Sequence, residues 1–268
     1  MNRPLQQLYT IAWCMSIMNM SANFSDWLPS YFRQKYTESI TQELKLPTHG
    51  KVVYQHQRGA ITIETWNKPT GMLYIQKEAL SPETVGKIKV QQKKIDGQLN
   101  LTVEQPGHDT IVTTRLVLPA GTNAEITVTE CGDITATNSS RSCSLSTKSG
   151  AITITTTKIG NIEARSEEGS IIVTGDEFGS TSSLLLTALQ GGVFLTLPAS
   201  INARLDAKTQ RAAITSDILV TLDPLTLLLT KQGWKEAMLH IQGILGEGGG
   251  PITIDALGKV VITPQAVG

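Results

Sequence analysis

The stretch CGDITATNSSRSCSLSTKSGAITITTTKIGNIEARSEEGSIIVTG, residues 131–175, decides the fold. Every nine or ten residues it repeats a glycine or its stand-in followed by apolar residues two and four positions on. The copies start at Gly132 (Ile134, Ala136), Arg141 (Cys143, Leu145), Gly150 (Ile152, Ile154), Gly160 (Ile162, Ala164) and Gly169 (Ile171, Val173). A period of two places both apolar residues of a copy on one face of a strand, and glycine supplies the bend between strands. Each copy is too short to bury that face alone, so neighbouring copies must stack around a shared core. The register makes a sharp prediction: Ile152→Asp buries a charge and destabilises far more than Thr153→Asp.

The same pattern recurs at Gly50, Gly59, Gly71, Gly86, Gly97, Gly191, Gly250 and Gly258. In all, 12 of the 23 glycines fit, against about four expected by chance at 40% apolar residues. The expected fold is therefore all-β, a β-helix-like solenoid of stacked short strands. Thr, Ile, Val and Gly dominate, and aromatics make up only 5%, which suits many strands joined by tight turns. Lys plus Arg and Asp plus Glu both number 23 in the 268 residues. With no clustered basic face and few aromatics, the sequence argues against nucleic acid as a partner.

Residues 1–22 read as a secretory signal. Arg3 opens a short positive start, Leu8 to Ala22 is mostly apolar, and Met20-Ser21-Ala22 offers a cleavage point, although Asn19 interrupts the run. As a helix, those 15 residues would span about 22 Å, short of the roughly 30 Å of a bilayer core, so no transmembrane span is expected. Export is the favoured reading, with a cytoplasmic chain as the alternative. Residues 23–49 read as a linker or an N-terminal cap carrying Phe24, Trp27, Leu28, Tyr31, Phe32 and Tyr36. Leu28, Phe32 and Tyr36 have helical spacing. Residues 50–264 form the expected single solenoid domain.

Within it, the segment from Gly59 to Lys77 has an isoleucine pair, Trp66 after the strand and Lys77 after the next. It is followed by Leu118-Pro119-Ala120, Gly132-Asp133-Ile134, the ladder from Gly150 to Val173, and a second Leu197-Pro198-Ala199. The ending is Gly246-Glu247-Gly248-Gly249 with Ile252, Ile254, Gly258 and Val260. This order resembles the bacterial putative adhesin domain, a domain of unknown function, over about residues 50–264. The resemblance implies a right-handed β-helix and an exported or envelope protein; it implies no catalytic residues.

The two Leu-Pro-Ala segments align residue for residue, Leu118–Ile126 on Leu197–Leu205. Proline cannot donate to a ladder, so both belong at strand ends or corners. No linker divides the chain, which reads as two related sets of coils in one stack. After Gly175 the pattern weakens at Gly179, Thr181 and Ser183. Leu184–Leu186 and Leu225–Leu229 are apolar runs, Trp234–Ile241 reads as a strand or two helical turns, and Gly246–Gly250 as a loop before the last strands.

No chemistry-bearing pattern stands out. Cys143 falls on an inward position and reads as a buried thiol, Cys131 lies in a turn, and Cys14 lacks the small neighbour of a lipidation site. His49, His56, His108 and His240 are dispersed without metal-ligand spacing and read as surface residues. Trp66 reads as a packed edge residue rather than a sugar platform. The glycine run has neither the lysine nor the helix of a phosphate cradle, nor the aspartates of calcium repeats. No catalytic, cofactor-binding or metal residue is assigned.

The nearest approach to an active cluster is Glu163, Arg165, Glu167 and Glu168 with Asp133, Lys148 and Lys158. A polysaccharide-cleaving β-helix enzyme would need such charges to converge on one face. A solvated edge that blocks strand aggregation explains them as well. The function expected is a non-catalytic exported envelope or surface module with a protein or glycan partner. The alternatives are a glycan-active β-helix enzyme and, should residues 1–22 not be a signal, a cytoplasmic scaffold.

Overall fold

The computed structural model of the protein describes residues 35–46, 50–138, 142–222 and 239–265. The described residues from Tyr36 onward form one compact unit. Its body is a stack of rungs, each made of two short strands, one on each of two facing sheet surfaces. In spatial order the first surface runs Gln98–Glu104, Lys51–Arg58, Asn123–Cys131, Ser142–Ser149, 161–168, 183–188, Gly250–Ala256 and Ala203–Thr209, all paired in parallel. The second runs Ile111–Pro119, Ile61–Trp66, Ile134–Thr137, 152–155, 171–174, Val193–Leu197, Val260–Pro264 and Ile214–Ser216, again parallel throughout. Parallel pairing of sequence neighbours with a crossover in each rung is what stacked repeats require.

The core lies between the two surfaces and is built from the residues the repeat points inward. Ile134, Ala136, Cys143, Leu145, Ile152, Ile154, Ile162, Ala164, Ile171 and Val173 are all buried. Thr153, between Ile152 and Ile154, faces outward and is half-buried. One interval serves both surfaces: Cys143 lies opposite Ile162 and Ile152 opposite Ile171, the same distance along the chain in each case. The interval widens at Ile162 opposite Leu184, where 179–182 bulge at the corner. That bulge accounts for the lapse at Gly179, Thr181 and Ser183; Leu184 and Leu186 then turn inward and Leu185 outward.

Rung order in space is not chain order. Rung 51–66 sits between rungs 98–119 and 123–137, and rung 250–264 sits between rungs 183–197 and 203–216. Both Leu-Pro-Ala segments lie where the chain steps over one of these intercalated rungs. After each, a tight turn closes with Thr122 N–H donating to Pro119 O and Ile201 N–H to Pro198 O, both at 3.1 Å. The kinship of the two segments thus reflects one shared manoeuvre, and the corner placement of the prolines is as expected.

Glycines form a column down one corner. A side chain added at Gly132, Gly150, Gly169, Gly191 or Gly258 would overlap the carbonyl of the glycine in the rung before it, namely Gly59, Gly132, Gly150, Gly169 and Gly191. Backbone rests directly on backbone there, and Gly59 and Gly150 also hold φ of 120° and 148°, which side chains rarely tolerate. Hydroxyls brace the column: Thr147 donates to Gly132 O, Ser166 to Gly150 O and Thr209 to Gly258 O, at 2.9, 2.9 and 2.6 Å.

Antiparallel strands close both ends. Gly71–Ala79 adds to Ile111–Pro119, and Tyr36–Leu44 adds beyond it. The sheet thus begins at Tyr36, whose backbone is strand rather than helix; Leu28 and Phe32 lie outside the described residues, as do residues 1–22. Lys89–Ile95 covers Gln98–Glu104 with Lys89, Lys93 and Lys94 on an exposed edge, charges that discourage further pairing. At the other end His240–Leu245 covers Ala203–Thr209 and is followed by Val220–Leu222.

One glycine of the pattern is not a strand start. Gly86 lies in helix Pro82–Lys87, whose cap Ser81 accepts from Thr84 N–H; a capping hydroxyl and a proline in the first turn outweigh the alternation. Leu225–Leu229 and most of Trp234–Ile241 lie outside the described residues. His240 and Ile241 are strand.

Candidate binding face

The outward positions of the second surface line up across rungs. One row, given by the register, is Thr135, Thr153, Ile172, Phe194 and Val261; the next is Thr137, Thr155, Thr174, Thr196 and Thr263. These are the third and fifth positions after Gly132, Gly150, Gly169, Gly191 and Gly258. Ten positions over five rungs carry no charge. At about 4.8 Å per rung the strip is about 19 Å long. Ile172 and Phe194 are each 38% exposed, so adjacent apolar side chains meet solvent amid threonines. One end is bounded by Glu64, which accepts from Arg115 Nε and Nη2 at 3.0 and 2.7 Å. Those bonds hold the Glu64 carboxyl below the usual range.

A buried polar chain lies at the intercalated rung 51–66. His56 Nε2 is 2.8 Å from Gly59 O; a carbonyl only accepts, so Nε2 carries the proton and Nδ1 is free to accept. Tyr54 OH, 3.2 Å from Nδ1, donates to it and accepts from Thr114 Oγ1 at 2.5 Å. Tyr54, His56 and Thr114 are each at most 1% exposed. Burial pushes His56 down to about 4, with the Gly59 bond working against it, so the ring is neutral. Burial pushes the Tyr54 phenol up. Beside them Arg58 donates to Thr110 O at 3.2 Å and also bonds Gly107 O and Glu130. Gln105 clamps the Arg58 backbone, accepting from Arg58 N–H at 2.7 Å and donating to Arg58 O at 2.8 Å. Every member is satisfied, the condition under which a buried polar network specifies structure. None of its members lines the recess at the opposite end of the stack.

At the opposite end a shallow recess of about 550 Å³ is lined by Arg204, Asp206, Thr221, Gln242, Ile244 and Pro251, among others. Asp206 accepts from His240 Nε2 at 2.8 Å and Gln242 Nε2 at 3.2 Å. Burial raises its pKa, and the two donors overcome that and leave it below the ordinary value. The recess holds a fixed carboxylate and a guanidinium among apolar residues, and among the described residues that line it no hydroxyl bonds a base.

The charged cluster singled out in the sequence does not converge. Glu163 and Arg165 project outward along one strand, beside Leu185 and Thr187 on one side and Ser144 and Ser146 on the other. Lys148 lies between Thr147 and Ser149, whose partners in the next rung are Ser166 and Glu168, so it faces Glu167 along the strands. Asp133 accepts from Ala151 N–H at 2.7 Å, a turn contact. No ion pair among the described residues joins any two members of the cluster.

His56 is a correction to the sequence reading: it is buried, because it sits on the inward row of its strand and Tyr54 and Gly59 satisfy both ring nitrogens. His108 is exposed as expected, and His49 lies outside the described residues. Cys143 is buried, Cys131 exposed, and the two are not joined. Trp66 packs at a strand end, donating to Thr70 O at 2.7 Å, with Lys68 Nζ 4.5 Å from the ring centre. Among the described residues no cluster of His, Cys, Asp or Glu is arranged to hold a metal, and no helix is long and apolar enough to cross a membrane.

The fold and its faces define an all-β, solenoid-like repeat protein. The chain belongs to the Toastrack family, DUF4097, whose model matches residues 84–224, and the adhesin-domain resemblance read from the sequence is thereby borne out. Among solved structures it is similar to a putative cell adhesion protein from Clostridium sporogenes, with 12% identity over 86% of this chain and 100% of that one, TM-score 0.49. It is also similar to a putative adhesin from Bacteroides fragilis, with 11% identity over 85% and 97%, TM-score 0.28. A putative lipid binding protein from Parabacteroides distasonis follows at 9% identity over 85% and 97%, TM-score 0.24. No curated protein matches the sequence.

Proposed function

We propose that the protein is an exported, non-catalytic module of the cell envelope that holds a partner on the uncharged strip of its second surface, and that its stack winds right-handedly. The strip is the observation that supports this reading: ten outward positions without a charge, with Ile172, Phe194 and Val261 side by side. An exposed apolar group rimmed by polar residues is the usual mark of an interaction site. A rigid row of hydroxyls suits an extended partner, a glycan or a protein segment, that is itself uncharged. The winding follows from the strong preference of parallel crossovers for the right hand, and the export from the signal-like residues 1–22 and the family resemblance.

The test has two arms. Cells producing the full chain are fractionated and the recovered protein is sequenced from its N-terminus; a start near Asn23 outside the cytosol is expected. Binding of the purified chain to arrayed glycans and envelope proteins is then compared with that of Phe194→Asp. At least a tenfold loss is expected, with the far-ultraviolet spectrum and melting temperature unchanged. An intact Met1 in the cytosol overturns export and makes the cytoplasmic scaffold the better reading. Equal binding by Phe194→Asp moves the site off the strip.

A further inference from the structure

The rung 250–264 is built into the stack from outside the order of the chain. On the first surface Ile252 lies between Leu184 and Leu205; on the second Val260 lies between Val193 and Ile214. The slot it fills is made by one contiguous stretch, residues 183–216, whose two rungs are joined by the turn 198–202. It meets the slot through main-chain bonds on both sides, such as Leu257 N–H to Ala188 O and Val193 N–H to Lys259 O, both at 2.9 Å, and Asp217 N–H to Ile262 O at 2.9 Å. Its inward residues are Ile252, Ile254, Ala256, Val260 and Ile262. Apart from Thr209 donating to Leu257 O and Gly258 O, the side-chain bonds holding it come from the surface, so nothing in the buried contact ties it to its own chain.

Two further features make it separable. Its connection is the run Gly246-Glu247-Gly248-Gly249, in which Gly246 and Gly248 hold φ of 59° and 83°. Glu247 N–H is the link back to the slot, donating to Asn202 Oδ1 at 2.8 Å. The walls of the slot also alternate alike: Leu184, Leu186 and Ala188 stand across the rung from Leu205, Ala207 and Thr209, two residues further along the chain than Cys143 stands from Ile162 in the regular stack. A chain whose rung is withdrawn can therefore close the gap by a two-residue slip, which keeps the same side chains inward, instead of leaving two open sheet edges.

We infer that rung 250–264 exchanges between two copies of this chain, each filling the other's slot through the glycine hinge at 246–249. The second copy is the fitting occupant because the rung it donates makes the same backbone bonds and carries the same inward side chains. Reciprocal exchange satisfies both slots and closes at a dimer. The inference does not rest on the binding strip, which lies outward on the second surface.

The test uses the full chain with Cys14, Cys131 and Cys143 replaced by alanine and with Thr187→Cys and Asp255→Cys, which face each other in register on the outer surface. The protein is refolded at low and at high concentration, oxidised, and examined by light scattering and non-reducing electrophoresis. At high concentration a dimer is expected whose disulfides join two chains, running at twice the chain mass until reduced. A second variant in the same background, lacking Gly248 and Gly249, shortens the hinge and is expected to be dimeric at both concentrations. A parent that stays monomeric at high concentration, or that dimerises with the disulfide within one chain, overturns the inference whether or not the shortened variant folds.

Discussion

The two intercalated rungs solve one topological problem with different chemistry. Rung 51–66 is pinned by side chains: Tyr54 to Thr114, His56 to Gly59, Arg58 to Thr110 and Glu130, and Gln105 to the Arg58 backbone. Rung 250–264 is held by ladder bonds and by isoleucine, valine and alanine, with Thr209 the buried side chain that reaches it. Directional buried bonds fix one partner and one register, whereas apolar packing and a backbone ladder accept any rung of the right pattern. The walls differ in kind as well. Leu99 and Ala124, which flank the first intercalated rung, stand further apart in sequence than Leu184 and Leu205, which flank the second, so the first slot lies further from the regular interval. Intercalation is thus locked at one end and exchangeable at the other.

Glycine substitution tests this contrast most severely. Gly59 holds φ of 120° and an added methyl would overlap the Val112 carbonyl, so Gly59→Ala should cost about 3–4 kcal/mol in urea unfolding. Gly258→Ala meets Gly191 O at 2.7 Å without the φ penalty and should cost about 1–2 kcal/mol; equal losses would erase the distinction between the ends. Acid comes next. His56 titrates near 4 when folded against 6.5 ordinarily, so its contribution is complete above pH 6.5 and is lost as pH falls towards 4. The loss should total about 3 kcal/mol. Amide exchange measured across that range should quicken in 51–66 well before 250–264, and a simultaneous change would argue that the buried histidine is not what locks the first rung.

Smaller effects sharpen the picture. Tyr54→Phe leaves Thr114 Oγ1 and His56 Nδ1 short of a partner inside the core and should cost about 1–2 kcal/mol. Thr209→Val removes its bonds to Leu257 O and Gly258 O, for about 1 kcal/mol, and should raise the rate at which rung 250–264 exchanges. An unchanged rate would show that this hydroxyl plays no part in retaining the rung.

Much of the fold was legible because burial in a stack follows a period of two. Ile152, Ile154, Ile171 and Val173 turn inward as their spacing from glycine requires, and the proline of each Leu-Pro-Ala segment marks a corner. The rung order was not legible: which strand pairs with which is set by contacts far apart in sequence, and nothing in residues 51–66 or 250–264 announces that they will be interposed. The echo between the two Leu-Pro-Ala segments was the visible trace of that topology. The binding strip was written at the third and fifth positions after each glycine, but threonines read one strand at a time look like solubility; only the register aligns them with Ile172 and Phe194. His56 escaped because its partners, Tyr54 beside it on the same strand face and Gly59 at the corner, join Thr114 only across rungs.

The glycine column also bears on how such a gene can change length. Because each corner rests on the backbone of the corner before it, a tandem duplication of the codons that encode one rung adds a layer that repeats its parent's contacts. An insertion of a single codon within a strand has no such outlet, since it turns the following side chains inside out. The chain is therefore expected to vary among its relatives by whole layers or at the bulged corner near residues 179–182, and to resist the small insertions that ordinary surface loops absorb.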